Sequence, residues 1–99
     1  MDDYLDKIAV PQVREILSNY GKIAVLWFDT PVGMTHERAE KFLPLLKLQP
    51  GLIVNNRLDE KKSMGDCETP EQFIPATGFT GKDWESCMTM NTTWGYKSF

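Results

Sequence analysis

The stretch "KIAVLWFD", residues 22–29, decides the fold. Its apolar residues run on without polar alternation, are rich in β-formers, and have strand length. That is the pattern of a strand covered on both faces in a parallel sheet. It ends on a carboxylate, Asp29, and a buried ion without a partner is costly because it gives up its hydration. Asp29 therefore either escapes to the surface or sits where charge is useful.

The neighbouring segments repeat this rhythm. Upstream, "PQVREILSNYG" (residues 11–21) places Val13, Ile16, Leu17 and Tyr20 on one helical face, with Pro11 near the start and Gly21 as the stop. Downstream, "TPVG" (30–33) reads as a turn, and "THERAEKFLPLLKLQ" (35–49) as a helix interrupted by Pro44. "PGLIVNNR" (50–57) is a second short buried strand bounded by Pro50 and Gly51. From Leu58 to Lys82 the chain is polar and rich in Gly, Pro and Thr, which reads as one long loop, and "WESCMTMNTTWGY" (84–96) returns to a third strand. Helix, strand, helix, strand, loop, strand predicts an α/β fold with about three parallel strands.

Composition removes several functions. The chain has 99 residues, 41% hydrophobic and 25% charged, which suits one modest globular unit. A net charge of -3 gives no basic footprint for nucleic acid. No apolar run approaches the roughly 20 residues a membrane span needs, and "MDDYLD" is acidic where a signal peptide is basic. Two cysteines without a CxxC and a single histidine supply no ordinary zinc site. Cys67 and Cys87 read as two buried thiols, and His36 as an exposed residue opening a polar helix.

In α/β sheets ligands gather at the C-terminal ends of the strands. Asp29 and Arg57 stand at two such ends on neighbouring strands. A ligand site and a plain salt bridge both satisfy this placement.

Four motifs in order, "QVREILSNYGKIAVLWFD", "GLIVNNR", "GDCETPEQ" and "WESCMTMNTTWGY", resemble the central part of the α-L-fucosidases of glycoside hydrolase family 29. The resemblance covers nearly the whole chain. It departs at Thr30, where the family often has Gly after the Asp, and at Cys67, where an aromatic is usual. It implies that residues 1–99 are an incomplete domain, a fragment of a TIM (β/α)8-like barrel. Such a barrel takes about 250 residues and eight strands, and the family's sugar-contacting histidines lie on earlier strands.

The resemblance further implies a retaining hydrolase of terminal α-L-fucosyl linkages, with Asp29 as nucleophile and Glu71 as acid/base. Glu68 is the alternative acid/base, and Glu85 in "WESC" a third candidate. Retaining glycosidases hold two carboxyls about 5–5.5 Å apart, one ionised to attack and one protonated to assist departure. Trp27 resembles the floor of the fucose pocket, Arg57 the family's sugar-contacting arginine, and Trp94 an aromatic facing the apolar 6-methyl group. For both tryptophans core packing is the competing role. The implied partner is a fucosylated oligosaccharide or glycoconjugate, with no cofactor and no metal, in a secreted, periplasmic or lysosomal setting. Two other classes remain: a small α/β redox or binding module, which needs a reactive thiol, and a non-catalytic carbohydrate-binding domain, which has no use for a carboxylate pair.

Overall fold

The computed structural model describes residues 1–29, 32–59 and 64–98. The chain opens on a continuous helical stretch: α1 (Asp2–Tyr4), a π-helical turn (Leu5–Ala9) and α2 (Val10–Asn19), with Pro11 in the first turn of α2. Gly21, at φ 87°, supplies the left-handed residue that ends it. After β1 (Val25–Leu26) comes α3 (His36–Glu40). Its N-cap is Thr35, whose hydroxyl accepts the Arg38 N–H at 3.2 Å. A separate α4 (Leu43–Leu46) follows with Pro44 in its first turn, so the helix breaks where the proline predicts. Then come β2 (Ile53–Val54), a 3₁₀ turn (Asn56–Leu58), β3 (Cys67–Glu68) and β4 (Asp83–Trp84).

Among the described residues all strand pairing is parallel and follows chain order. Val25 and Leu26 pair with Ile53 and Val54, and Cys67 and Glu68 with Asp83 and Trp84. A bridge between Asn55 and Cys67 joins the two pairs. The α/β class with parallel strands therefore holds, but the described residues contain four strands, and β3 lies inside the stretch expected to be one loop. Of the third expected strand, residues 84–96, only Trp84 is in β4, and a further bridge joins Cys87 to Glu71.

Gly65 and Asp66 explain why β3 escapes a periodicity reading, since pairing rather than side-chain alternation places it. A Cβ on Gly65 would lie 2.1 Å from the Asn55 carbonyl oxygen, so only glycine admits this approach. Asp66 then bonds Val54 through both its own N–H (2.6 Å) and its carboxylate, which accepts the Val54 N–H at 2.8 Å.

The core is one-sided. Leu5, Leu17, Ala39, Phe42, Leu45, Leu52, Val54 and Leu58 are buried, joining the helices to one face of β1 and β2, with Leu26 and Phe28 packed against them. Phe28 meets Phe42 edge to face at 5.5 Å, and burying a side chain of that size stabilises by about 1.5–3 kcal/mol. On the opposite face Val25 and Ile53 are each 48% exposed. Coverage on both faces, expected from the unbroken apolar run, is thus not what the described residues form. Side chains alternate along a strand, so Trp27 and Asp29 share the open side with Val25. Of the predicted helical stripe Leu17 is buried, whereas Ile16 and Tyr20 are exposed.

Candidate functional site

Arg57 organises the open side. It follows β2 on the 3₁₀ turn, and its side chain is 18% exposed. Nη1 donates to Asp29 Oδ1 at 3.0 Å, and Nη2 to Glu71 Oε2 at 2.5 Å. Nε donates to the Thr69 hydroxyl at 2.9 Å, and Nη2 also reaches the Thr69 carbonyl at 3.1 Å. The Thr69 hydroxyl in turn donates to Asn56 Oδ1 at 2.6 Å. The guanidinium lies over the Trp27 ring, 4.5 Å from its centroid. Burial opposes the charge of Arg57, but its bonds to Glu71 and Asp29 outweigh that and raise its pKa.

Two carboxylates from separate segments therefore sit on the two terminal nitrogens of one guanidinium. Their separation is limited to the two contacts plus the width of the guanidinium. Trp27 presents a flat ring beside them, and its indole N–H donates to Glu85 Oε1 at 2.5 Å. The cluster is open to solvent, with the Asp29 side chain 61% and that of Glu71 46% exposed. An aromatic plane with fixed hydrogen-bonding groups at its edge suits the apolar face and hydroxyls of a sugar ring.

Of the remaining candidates, Glu85 touches the cluster through Trp27, whereas no hydrogen bond, ion pair or ring contact joins Glu68 or Trp94 to Arg57 among the described residues. Glu68 ends β3 and accepts from Asn56 Nδ2 at 2.6 Å and from Lys82 Nζ at 2.7 Å. Glu85 spends one oxygen on Trp27. Trp94 is 63% exposed, and among the described residues no hydrogen bond or ring contact joins it to the Arg57 cluster. Thr30, the departure beside Asp29, lies outside the described residues, as does Pro31 of the expected turn.

His36 is not simply exposed, because its Nδ1 meets the buried carboxylate of Asp59 at 2.6 Å and its Nε2 meets Glu40 at 3.3 Å. The cysteines are half-buried and unpaired rather than buried. Both thiols are pushed up, Cys67 by burial and then by nearby carboxylates, Cys87 by burial against the pull of Arg57. A raised thiol pKa means less thiolate at a given pH, which disfavours the reactivity a redox module needs. Among the described residues no group of three or more His, Cys, Asp or Glu could hold a metal ion, and no helix is long and apolar enough to cross a membrane.

The family model for alpha-L-fucosidase matches residues 1–99. The chain belongs to the α-L-fucosidase family. Among solved structures, this fucosidase segment is similar to α-L-fucosidase isoenzyme 1 from Paenibacillus thiaminolyticus, at 37% identity and TM-score 0.73, over 99% of this chain and 27% of that one. It is similar to α-L-fucosidase AlfC from Lactobacillus casei in complex with α-L-fucose product, at 35% identity and TM-score 0.60, over 69% of this chain and 21% of that one. A bacterial fucosidase with a monovalent iminocyclitol inhibitor matches over 99% of this chain and 27% of that one, at 27% identity and TM-score 0.76. No curated protein matches. The segment spans about a quarter of the length of these structures.

One residue that the sequence reading passed over places Asp29. Asn55 is completely buried; its Oδ1 accepts the Phe28 N–H and its Nδ2 donates to the Phe28 carbonyl, each at 2.8 Å. A side chain thus completes the ladder where β1 has ended, one residue before the carboxylate. The Asn-Asn pair directly after an apolar run was the available signal. Asn55→Leu leaves both part-buried Phe28 backbone groups without these partners and places an apolar side chain against them, so a loss of about 2–4 kcal/mol is expected. Chemical denaturation of the variant measures it, and a loss below about 0.5 kcal/mol refutes this role.

Proposed function

We propose that residues 1–99 carry the two catalytic carboxyls of a retaining α-L-fucosidase, Asp29 as nucleophile and Glu71 as acid/base. The single observation that supports this most strongly is the shared guanidinium. Arg57 holds these two carboxylates, and neither Glu68 nor Glu85, on its two terminal nitrogens. Asp29 attacks the anomeric carbon of the fucosyl unit while Glu71 gives its proton to the departing glycosidic oxygen, leaving a covalent fucosyl ester on Asp29. Glu71 then takes a proton from water, whose oxygen attacks the same carbon and releases Asp29. Two inversions give net retention.

Trp27 forms the floor, Arg57 orients sugar and carboxylates together, and Trp94 faces the 6-methyl group. The strand order β1, β2, β3, β4 supports a portion of a (β/α)8 catalytic barrel, in which strand ends from several segments meet at one face. A fucosylated oligosaccharide or glycoconjugate is the substrate, and an AlfC variant solved with Fucα(1,6)GlcNAc supports that class. The segment alone is inactive. A non-catalytic carbohydrate-binding role accounts for Trp27 but gives the paired carboxylates nothing to do.

The test compares Glu71→Ala with Glu68→Ala in an enzyme carrying residues 1–99. An acid is needed mainly when the leaving group is poor. Glu71→Ala therefore spares the first step with activated aryl fucosides and slows natural linkages by roughly 10²–10⁴-fold. Glu68→Ala, which loses contacts to Asn56 and Lys82, changes both substrates alike. The reverse pattern moves the acid/base to Glu68.

A further inference from the structure

Directly after Glu71, Gln72 adopts φ 56°, and among the described residues no other non-glycine has a positive φ. L side chains rarely take this conformation, so something outside the residue has to hold it. Its backbone N–H donates to the Cys87 carbonyl at 2.7 Å, and the Cys87 N–H donates to the Pro70 carbonyl at 3.1 Å, clamping Glu71 between them. Its side-chain Oε1 accepts from the Thr89 N–H and faces the Thr89 hydroxyl, each at 3.3 Å.

From there the contacts run on toward Trp94. The Thr89 hydroxyl donates to the Asn91 carbonyl at 2.5 Å, and Asn91 Oδ1 accepts the Thr93 N–H at 2.8 Å and its hydroxyl at 3.1 Å. Apolar packing does not place this stretch, because Met88, Met90, Trp94 and Tyr96 are all exposed. Its course depends on hydrogen bonds: the Cys87 backbone joins it to the Glu71 loop at one end, and the Gln72 amide adds a side-chain contact two residues further on, at Thr89.

We propose that Gln72 is a positioning residue: its amide oxygen ties the loop carrying Glu71 to the segment leading to Trp94, and so fixes where the Glu71 carboxyl meets the leaving-group oxygen. This rests on the acid/base reading of Glu71. Gln72→Gly removes the amide while relieving the backbone, which separates loss of the tie from strain. Gln72→Asn keeps an amide oxygen and tolerates the left-handed conformation, at the cost of one methylene of reach.

The experiment measures kcat/KM for aryl α-L-fucosides of graded phenol acidity, in an enzyme carrying residues 1–99, with Glu71→Ala as reference. A displaced acid fails most where the leaving group needs it most. Gln72→Gly is expected to lose about tenfold more rate on poor leaving groups than on activated ones. Gln72→Asn is expected to fall between that variant and the unsubstituted enzyme. A loss of stability alone lowers every substrate equally and leaves the slope unchanged. If Gln72→Gly keeps the original slope while Glu71→Ala steepens it, the inference is wrong and the acid/base reading stands. If Glu71→Ala does not steepen it either, the reading of Glu71 fails and the inference falls with it.

Discussion

Asp29→Ala is expected to stop turnover in an enzyme carrying this segment, with kcat/KM for an aryl α-L-fucoside falling on the order of 10⁴-fold or more. The other candidate carboxylates are already engaged. Glu71 is held on the opposite branch of Arg57, Glu68 is engaged by Asn56 and Lys82, and Glu85 is bonded to Trp27. The fold should survive. Asp29 is 61% exposed, and Arg57 keeps its bonds to Thr69 and Glu71 when that carboxylate is gone. Exposed ion pairs of this kind contribute about 0–1 kcal/mol, so the melting transition should move little. Azide fits the space left by the carboxylate and attacks the anomeric carbon directly, restoring part of the rate with an activated leaving group. Unchanged hydrolysis would remove Asp29 from the mechanism. Retained sugar binding with lost hydrolysis would separate an enzyme from a carbohydrate-binding module, since the Trp27 floor is untouched.

The legible parts of this chain are those governed by local rules. Pro44 broke its helix and Gly21 stopped one because each acts on its own backbone neighbours. Asp29 and Arg57 could be paired from sequence because both end apolar runs, and ends of adjacent parallel strands meet. β3 was not legible: Cys67 and Glu68 have no apolar alternation, and their strand geometry comes from pairing with β4 and from the approach that Gly65 permits to Asn55. The open face was hidden for a related reason. Val25 and Ile53 are as apolar as Leu26 and Val54, so composition could not say which side the helices cover. Asn55 had no readable role because its value lies in the Phe28 backbone, 27 residues away. Spacing alone left Glu68 and Glu71 equivalent and the family resemblance favoured Glu71; in the structure Glu71, and not Glu68, bonds Arg57.

The chain of residues 1–99 by itself is expected to show no fucosidase activity, although it holds both proposed carboxyls. Among the described residues β1 pairs only with β2, and β4 only with β3, so each outer strand presents unpaired N–H and C=O groups. Such edges recruit other chains. The face that carries Asp29 and Trp27 also exposes Val25 and Ile53, apolar surface that a closed barrel would cover with its remaining strands. Burial on the helical side supplies one modest core, and at about this length a single one-sided core gives little margin. The expected species is marginally stable and self-associating, with a broad melt. Catalysis asks for more than proximity, because a displacement of about 1 Å can cost 10²-fold and the carboxyls here lie on exposed segments without a second wall. Light scattering, a thermal melt and an aryl α-L-fucoside assay at high protein concentration test this together. A cooperative monomer whose turnover disappears on Asp29→Ala would overturn it, and would mean that Arg57, Trp27 and the Asn55 clamp alone hold the two carboxyls in productive register.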